Sequence, residues 1–240
     1  MDGMAQQAGL PDPRRGVFGR VTETVYWFVV VEVAFLLAAA PGFLGVILLE
    51  QSATNIPLYA LCLIPVAPAF SAALSALEAR RRVAEPVVWP QFWRAYVRNV
   101  VDVLWVWVPA LVAAAILGTT IAVGPAAGVD GFFIGAAVVF LVVLAVWAAH
   151  ALVIASLFRF RARDTARLAL YYLAAKPLVS LGALSYLVVA VALVAFVSDW
   201  ALALCAVIFA AFALVNARPL IASVRDRFIA PEPESAPETD

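Results

Sequence analysis

Glu32, Asp102, His150 and Asn216 lie within or near the ends of long apolar stretches of this sequence. Ionisable groups are costly inside lipid, and those that occur there often mark a functional site. A carboxyl and an imidazole, here Glu32 and His150, can together accept and release a proton. This pair therefore predicts a proton- or cation-linked site. The alternative, which we favour, is that each group bonds to a neighbouring helix and holds a bundle together.

The composition of the whole chain indicates the environment in which these side chains lie. The chain has 240 residues, of which 65% are hydrophobic and 13% charged, and its mean hydropathy is +1.00. Soluble domains usually contain about 25% charged residues. A soluble chain of this size could not hide so much apolar surface from water. The composition therefore indicates an integral membrane protein.

Six stretches are long enough for the roughly 20 residues that cross a bilayer as a helix. Helices are expected because lipid offers no hydrogen-bond partners to open backbone. The first stretch is interpreted as a retained anchor and not a cleaved signal peptide, because Pro41 follows its small residues directly. It could continue past Pro41 toward Leu49. The predicted spans are residues 21–40, 57–77, 100–123, 132–158, 177–197 and 201–217.

All 16 basic residues fall in segments that belong to one side of such a six-span arrangement. The three opposite connections contain no Lys or Arg and carry Glu50, Asp130 and Asp199. Because cytoplasmic loops collect Lys and Arg, both termini are expected in the cytoplasm. The predicted organisation is a cytoplasmic N-terminal segment (1–17), a transmembrane domain (18–227) and a disordered acidic tail (228–240). The fold class is an all-α, polytopic membrane helical bundle.

Two cytoplasmic loops are expected to contain amphipathic helices at the membrane interface. In the first, Arg94 and Arg98 would face lipid headgroups, and the helix would then turn into the third span. Arg98 is also spaced to pair with Asp102. The side chains expected to face lipid are Trp89, Phe92, Trp93 and Tyr96.

In the second such loop, Asp164 is expected to cap a helix that starts at Thr165. Pro177 is then expected to open the fifth span. The two loops thus share an order of Arg cluster, interfacial helix and span. We favour convergence over internal duplication as the explanation, because two helical hairpins that meet the same leaflet produce the same pattern.

Prolines within the spans allow two interpretations. Pro65 and Pro68 lie in the second span and Pro109 lies in the third. Transporters use broken helices to form substrate sites at mid-membrane. Prolines also produce simple kinks in packed bundles. We favour packing, because small residues that allow close helix contact surround Pro68.

Signals of enzymatic or nucleic-acid function are absent from the sequence. The single histidine argues against a zinc site, and no Gly-rich phosphate loop occurs. Cys62 and Cys205 lie in apolar stretches without an activating basic neighbour. The net charge of zero gives no support to nucleic-acid binding. We therefore expect no catalytic residue, metal site or cofactor.

The order of these features resembles the YesL-like family of bacterial integral membrane proteins. The resemblance covers about residues 18–227, and the family has Asn at the position aligned with Glu32. The residues that carry the resemblance are Tyr26-Trp27, Pro68-Ala69-Phe70-Ser71-Ala72-Ala73-Leu74, Arg80-Arg81-Arg82, Phe92-Trp93-Arg94-Ala95-Tyr96-Val97-Arg98-Asn99, Lys176-Pro177-Leu178 and Asn216-Ala217-Arg218-Pro219-Leu220.

The resemblance implies a multi-pass protein of the bacterial inner membrane whose molecular function is not established. It also implies an association with carbohydrate uptake. We therefore expect a non-catalytic accessory protein with the lipid bilayer and carbohydrate transporter subunits as partners. The alternative is a small solute transporter, proton- or cation-linked, that acts as a homo-oligomer. Glu32, His150 and the prolines of the spans favour this alternative.

Overall fold

The structure is a computed structural model that describes residues 17–80 and 87–228, with side chains described for residues 21–80 and 87–227. The predicted disordered tail beyond Phe228 and most of the predicted N-terminal segment lie outside these ranges, as do Arg81 and Arg82. The described residues contain helices and connections but no strand, which confirms the all-α class. The helices are α1 (Val17–Leu48), α2 (Ile56–Cys62), α3 (Val66–Arg80), α4 (Val88–Val123), α5 (Gly131–Leu157), α6 (Ala162–Ala175), α7 (Pro177–Phe196), α8 (Asp199–Leu204), α9 (Ala206–Asn216) and α10 (Arg218–Phe228).

Four helices, α1, α4, α5 and α7, are individually long and apolar enough to cross a membrane. Two further pairs reach the required length only when joined across a bend. The pair of α2 and α3, with the 3-10 turn before α2, bends by 42°, and the pair of α9 and α10 bends by 53°. The described residues thus contain four membrane-length helices, or six if each bent pair is one span. This arrangement is compatible with a membrane protein.

Helix α1 continues without interruption through Pro41 to Leu48. Its C-terminal part lies directly against the end of α2, where Gly42 and Gly45 both face Cys62. A Cβ atom on either glycine would overlap atoms of Cys62. These two glycines therefore allow the close approach of the first span to the second.

Helix α4 is a single helix of 36 residues, so the predicted turn between an interfacial helix and the third span is wrong. No Gly or Pro lies between Pro90 and Pro109, so nothing in the sequence interrupts the backbone there. Its length is about 54 Å, at 1.5 Å per residue. A hydrocarbon core measures about 30 Å. The helix therefore extends well beyond such a core.

The boundaries around α6 correct one expectation and confirm another. Helix α6 begins at Ala162 and not at Thr165, so Asp164 lies in its first turn instead of capping it. A carboxylate in that position interacts favourably with the positive end of the helix dipole. Pro177 is the first residue of α7, as predicted.

The two ends of the bundle differ in charge. We call the end with Glu50, Asp130 and Asp199 the acidic end, and the opposite end the basic end. The connections from α1 to α2, from α4 to α5 and from α7 to α8 meet at the acidic end. Small residues of α1 and α3 dominate the core, which lets the helices approach closely. They include Ala34, Ala39, Ala69, Ala72, Ala73 and Ala76.

Candidate functional site

Glu32 lies near the middle of α1 and bonds to the backbone of a different span. Its Oε2 atom accepts a hydrogen bond of 2.9 Å from the amide of Val207. That amide belongs to the first turn of α9, just after the helix is interrupted at Cys205. The carboxylate thus satisfies an amide that no helical carbonyl can reach. The second oxygen, Oε1, is buried and has no hydrogen-bond partner among the described residues.

His150 is buried and bonds to its own helix and to α7. Its Nδ1 atom lies 2.8 Å from the carbonyl oxygen of Val146, one turn earlier in α5. Its Nε2 atom lies 3.5 Å from the hydroxyl of Ser180, which also donates to the carbonyl of Leu173 at 2.9 Å. The imidazole and Glu32 share no hydrogen bond. The structure therefore does not join the predicted proton pair directly.

Asn216 links the end of α9 to α7. Its Nδ2 atom donates a hydrogen bond of 2.8 Å to the carbonyl oxygen of Val179. Its amide oxygen lies against Gly182, where a Cβ atom would overlap it. Asn216 is thus a packing and hydrogen-bonding residue at the point where the chain bends from α9 into α10.

Asp102 lies on the exposed side of α4 and shares no hydrogen bond with the other three residues in the described structure. The expected ion pair with Arg98 is absent from the described structure. The Nε atom of Arg98 donates instead to the Oδ1 atom of Asn99 at 3.2 Å. The four predicted polar residues therefore do not form one site.

A polar cluster that the sequence reasoning did not select lies around Asn99. Its Nδ2 atom lies 3.2 Å from Ser71 Oγ, 3.1 Å from Ser75 Oγ and 3.1 Å from the carbonyl oxygen of Ser156. These partners belong to α3 and α5, so one amide joins three helices. Asn99 is a polar residue on the predicted interfacial helix, but helical periodicity places it on the same face as Arg94 and Arg98, for which the sequence predicts exposure to water and headgroups.

The aromatic side of the N-terminal part of α4 faces the protein more than expected. Phe92 has no exposed surface and belongs to the core, so its assignment to lipid is wrong. Trp93 and Tyr96 are partly buried and pack against the same core, while Trp89 is 43% exposed. The reason is that this part of α4 packs against α1 and α3. Arg94, Val97, Arg98 and Val101 are also exposed, and a headgroup role for the two arginines stays a prediction.

A side chain of α4 also forms a hydrogen bond with the backbone between α2 and α3. Pro65 has no amide hydrogen and precedes α3 directly. The indole Nε1 of Trp107, in α4, donates a hydrogen bond of 3.0 Å to the carbonyl oxygen of Leu63 within the interruption. The same carbonyl accepts a longer hydrogen bond of 3.3 Å from the amide of Val66, so the indole adds a second, shorter one within the interruption.

The basic end is connected by side chains from several helices. Arg80 donates to Thr24 Oγ1 at 2.7 Å and lies 5.2 Å from the ring centre of Trp27. Two side-chain hydrogen bonds connect α6 and α10, since Tyr172 donates to Ser223 at 3.1 Å and Arg227 donates to Tyr171 at 3.2 Å. The exposed arginines on these two helices and at the residue before α6 are Arg161, Arg163, Arg167, Arg218, Arg225 and Arg227.

Comparisons with known proteins do not assign this chain to a group. No family model matches the sequence, and no curated protein or solved structure is significantly similar to it. The resemblance to the YesL-like family therefore stays a prediction. Within the described residues, no group of three or more His, Cys, Asp and Glu side chains could hold a metal ion.

Proposed function

We propose that this chain is a non-catalytic accessory protein of the bacterial inner membrane. The observation that carries the proposal is the internal use of the polar groups within the spans. Asn99, Asn216 and Trp107 each donate to a group outside their own helix, and Glu32 accepts from one. Groups that connect helices in this way stabilise a bundle and are not available to coordinate a passing solute.

The cavities beside α4 support the same proposal. One, of about 690 Å³, lies between α2 and α4 and is lined mainly by aliphatic side chains such as Leu61, Leu111 and Ile116. Another, of about 680 Å³, lies between α4, α5 and α6, with Phe140 and Leu144 among its lining residues. Surfaces of this kind suit lipid chains better than a hydrophilic solute, which needs convergent polar groups.

The basic end is the surface that we assign to a partner protein. Helices α6 and α10 bury their apolar sides and expose arginines, which can pair with carboxylates on a partner. The resemblance to the YesL-like family suggests subunits of a carbohydrate transporter as that partner. Anionic lipid would bind the same surface with about 1 kcal/mol per basic residue, so the surface alone does not define the partner.

The test is affinity purification of the tagged full chain in mild detergent, followed by mass spectrometry. Transporter subunits should co-purify with the native chain, and the combined variant Arg163→Glu with Arg167→Glu should reduce their recovery several-fold. The variant with Lys at both positions is the control, because it keeps the charge. If the protein purifies alone and moves a solute in proteoliposomes, the accessory function is wrong.

A second candidate, a small proton- or cation-linked transporter, is favoured by one specific observation. Glu32 faces an interrupted span, and its Oε1 atom is buried without a described partner. Interrupted helices with a nearby carboxyl occur at the coupling sites of transporters. In proteoliposomes with a pH gradient, Glu32→Gln should then abolish pH-dependent uptake. Unchanged pH-dependent uptake in this variant would exclude Glu32 as the coupling group.

A further inference from the structure

A cavity of about 740 Å³ opens at the acidic end, where three parts of the chain meet. The end of α1 forms one wall, the segment from Leu49 to Tyr59 forms another, and the start of α8 forms the third. Its volume falls within the range of small-molecule sites, about 300–1,000 Å³. The side chains that give it chemical character are Phe43, Gln51, Ser52, Tyr59, Asp199 and Trp200.

Three aromatic rings from three different helices line this cavity. The ring centres of Phe43 and Trp200 are 6.5 Å apart, with an angle of 38° between the ring planes. Tyr59 is held in place because its hydroxyl lies 3.3 Å from the carbonyl oxygens of both Leu49 and Glu50. Aromatic faces that surround a small volume attract cations through the ring quadrupole.

The charge at this end also favours a cation. The carboxylate of Asp199 lines the cavity, is exposed, and forms no hydrogen bond or ion pair with the described residues. Glu50 lies in the adjoining segment. Residues 43–65 and 197–217, which include the walls of the cavity, contain no Lys and no Arg. The next basic residue, Arg218, belongs to the basic end. A positive ligand in the cavity would therefore meet the carboxylate of Asp199 and no competing basic side chain.

The neutral polar groups of the cavity are largely occupied. The hydroxyl of Ser52 lies 2.8 Å from Thr54 Oγ1 and accepts the Thr54 amide at 3.4 Å. The hydroxyl of Tyr59 is directed at the two backbone carbonyls. A sugar, which needs several convergent hydrogen-bond partners, would find few of them here. The remaining attractions are aromatic faces and negative charge.

We propose that this cavity binds an alkylammonium group. The ammonium charge faces Asp199, and the carbon atoms of the ligand contact the rings of Phe43, Tyr59 and Trp200. The cavity opens at the end of the helices, where a free organic cation in water and the ammonium headgroup of a phospholipid both have access. Both sources share this chemistry, and the experiment separates them.

The test uses the full chain labelled with 5-fluorotryptophan and purified in a maltoside detergent without ammonium groups. Choline is titrated at constant ionic strength, and the isosteric neutral alcohol 3,3-dimethyl-1-butanol is titrated in parallel. The chain has seven Trp residues, and Trp200 is the one that lines this cavity. Its fluorine resonance, assigned with Trp200→Phe, should shift with choline, whereas that of Trp147 should not.

Two variants and a control test the named contacts. Asp199→Asn should raise the half-saturating choline concentration about fivefold or more, and Phe43→Leu should raise it about threefold, as expected for a charge and a cation–π contact near a surface. Asp130→Asn is the matched control, since it removes one charge from the same end. Asn retains the oxygen that caps α5, so this variant should change the concentration less than twofold.

The possible outcomes identify the source of the ammonium group or contradict the proposed site. In nanodiscs, weaker choline binding with phosphatidylethanolamine than with phosphatidylglycerol identifies the lipid headgroup as the occupant. Equal binding in both lipids identifies a free organic cation. Equal shifts from choline and the neutral alcohol would overturn the proposal, because the cavity would then select shape and not charge. Unchanged choline binding in Asp199→Asn would overturn it as well.

Discussion

At the scale of single residues, the polar side chains within the bundle act mainly as connectors between helices. Asn99 is the clearest example, because its amide lies within hydrogen-bond distance of groups on α3 and α5. It is only 6% exposed, so water cannot easily replace these partners. A buried polar group that loses its partner costs about 1–3 kcal/mol. The contribution of Asn99 to stability is therefore expected to exceed that of an exposed amide.

Asn99→Ala is expected to lower the free energy of unfolding by about 1–3 kcal/mol, because it leaves Ser71 and Ser75 without a donor. The measurement is the apparent Tm of the full chain in detergent. Asn55→Ala is the control, since Asn55 also donates one side-chain hydrogen bond but lies at the acidic end beside solvent. Equal Tm values for Asn99→Ala and Asn55→Ala would contradict a structural role for the Asn99 cluster.

Gly182→Ala is expected to destabilise the protein by about 1–3 kcal/mol, because its Cβ would overlap the amide oxygen of Asn216. Gly135→Ala is the matched control, since no atom lies within 4 Å of a Cβ built there. That control should be neutral or stabilising, because Ala favours a helix over Gly. Thermal unfolding of both variants measures the difference. The pair Gly182→Ala with Asn216→Ala should recover part of the loss.

At the scale of elements, the chain breaks between α2 and α3 and between α8 and α9, and at each break a side chain from another helix bonds to the backbone. The break between α2 and α3 places the carbonyl of Leu63 near the indole of Trp107. The break between α8 and α9 places the amide of Val207 near Glu32. Broken helices are tolerated within a membrane when neighbouring groups satisfy the open backbone. Substitution of Trp107 or Glu32 should therefore lower the stability of the protein more than substitution of neighbouring residues on the same helices.

Trp107→Phe is expected to cost about 1 kcal/mol more than Trp105→Phe. Both substitutions replace an indole by a phenyl ring on the same helix, but only Trp107 donates to the interruption of the second span. Trp105 is 69% exposed and serves as the matched control. Apparent Tm values for the two variants provide the comparison. A larger loss for Trp105→Phe would show that the indole hydrogen bond does not stabilise the break.

At the scale of the whole molecule, charge separates the two ends of the bundle. Each acidic-end connection carries a carboxylate, and every basic residue of the described structure belongs to the basic end or to the helices that lie there. Positive charges remain preferentially in the cytoplasm during insertion. Six spans with both termini in the cytoplasm stay a prediction. Length and composition identify four helices that could cross a membrane, or six if each bent pair is one span.

Reporter fusions test this topology. Alkaline phosphatase fused after Gln51 is expected to be active, because the acidic end would lie outside the cytoplasm. The same enzyme fused after Asp240 should be inactive, while a fluorescent protein at that position should fluoresce. The fusion after Arg161 is a second cytoplasmic control. Phosphatase activity at Asp240 would require an odd number of crossings or the opposite orientation.

The sequence by itself determined the helical class and most helix positions, because crossing lipid requires a long apolar segment and hydropathy reveals it locally. It also located the opening of α7 at Pro177, where the fixed φ angle of proline suits the first turn. It did not reveal that α4 is continuous or that α6 starts at Ala162. The interfacial helix was expected to lie apart from the third span, and only its contacts with α1 and α3 show otherwise.

Only the tertiary structure decided which apolar residues face inward and which polar groups meet. In a membrane bundle, lipid-facing and core-facing side chains are both apolar, so composition does not separate the fully buried Phe92 from the exposed Val97. Hydrogen-bond partners are equally hidden, since Glu32 bonds to Val207, 175 residues away along the chain. Local sequence determines that a segment enters lipid, whereas helix packing determines which of its groups remain free to act.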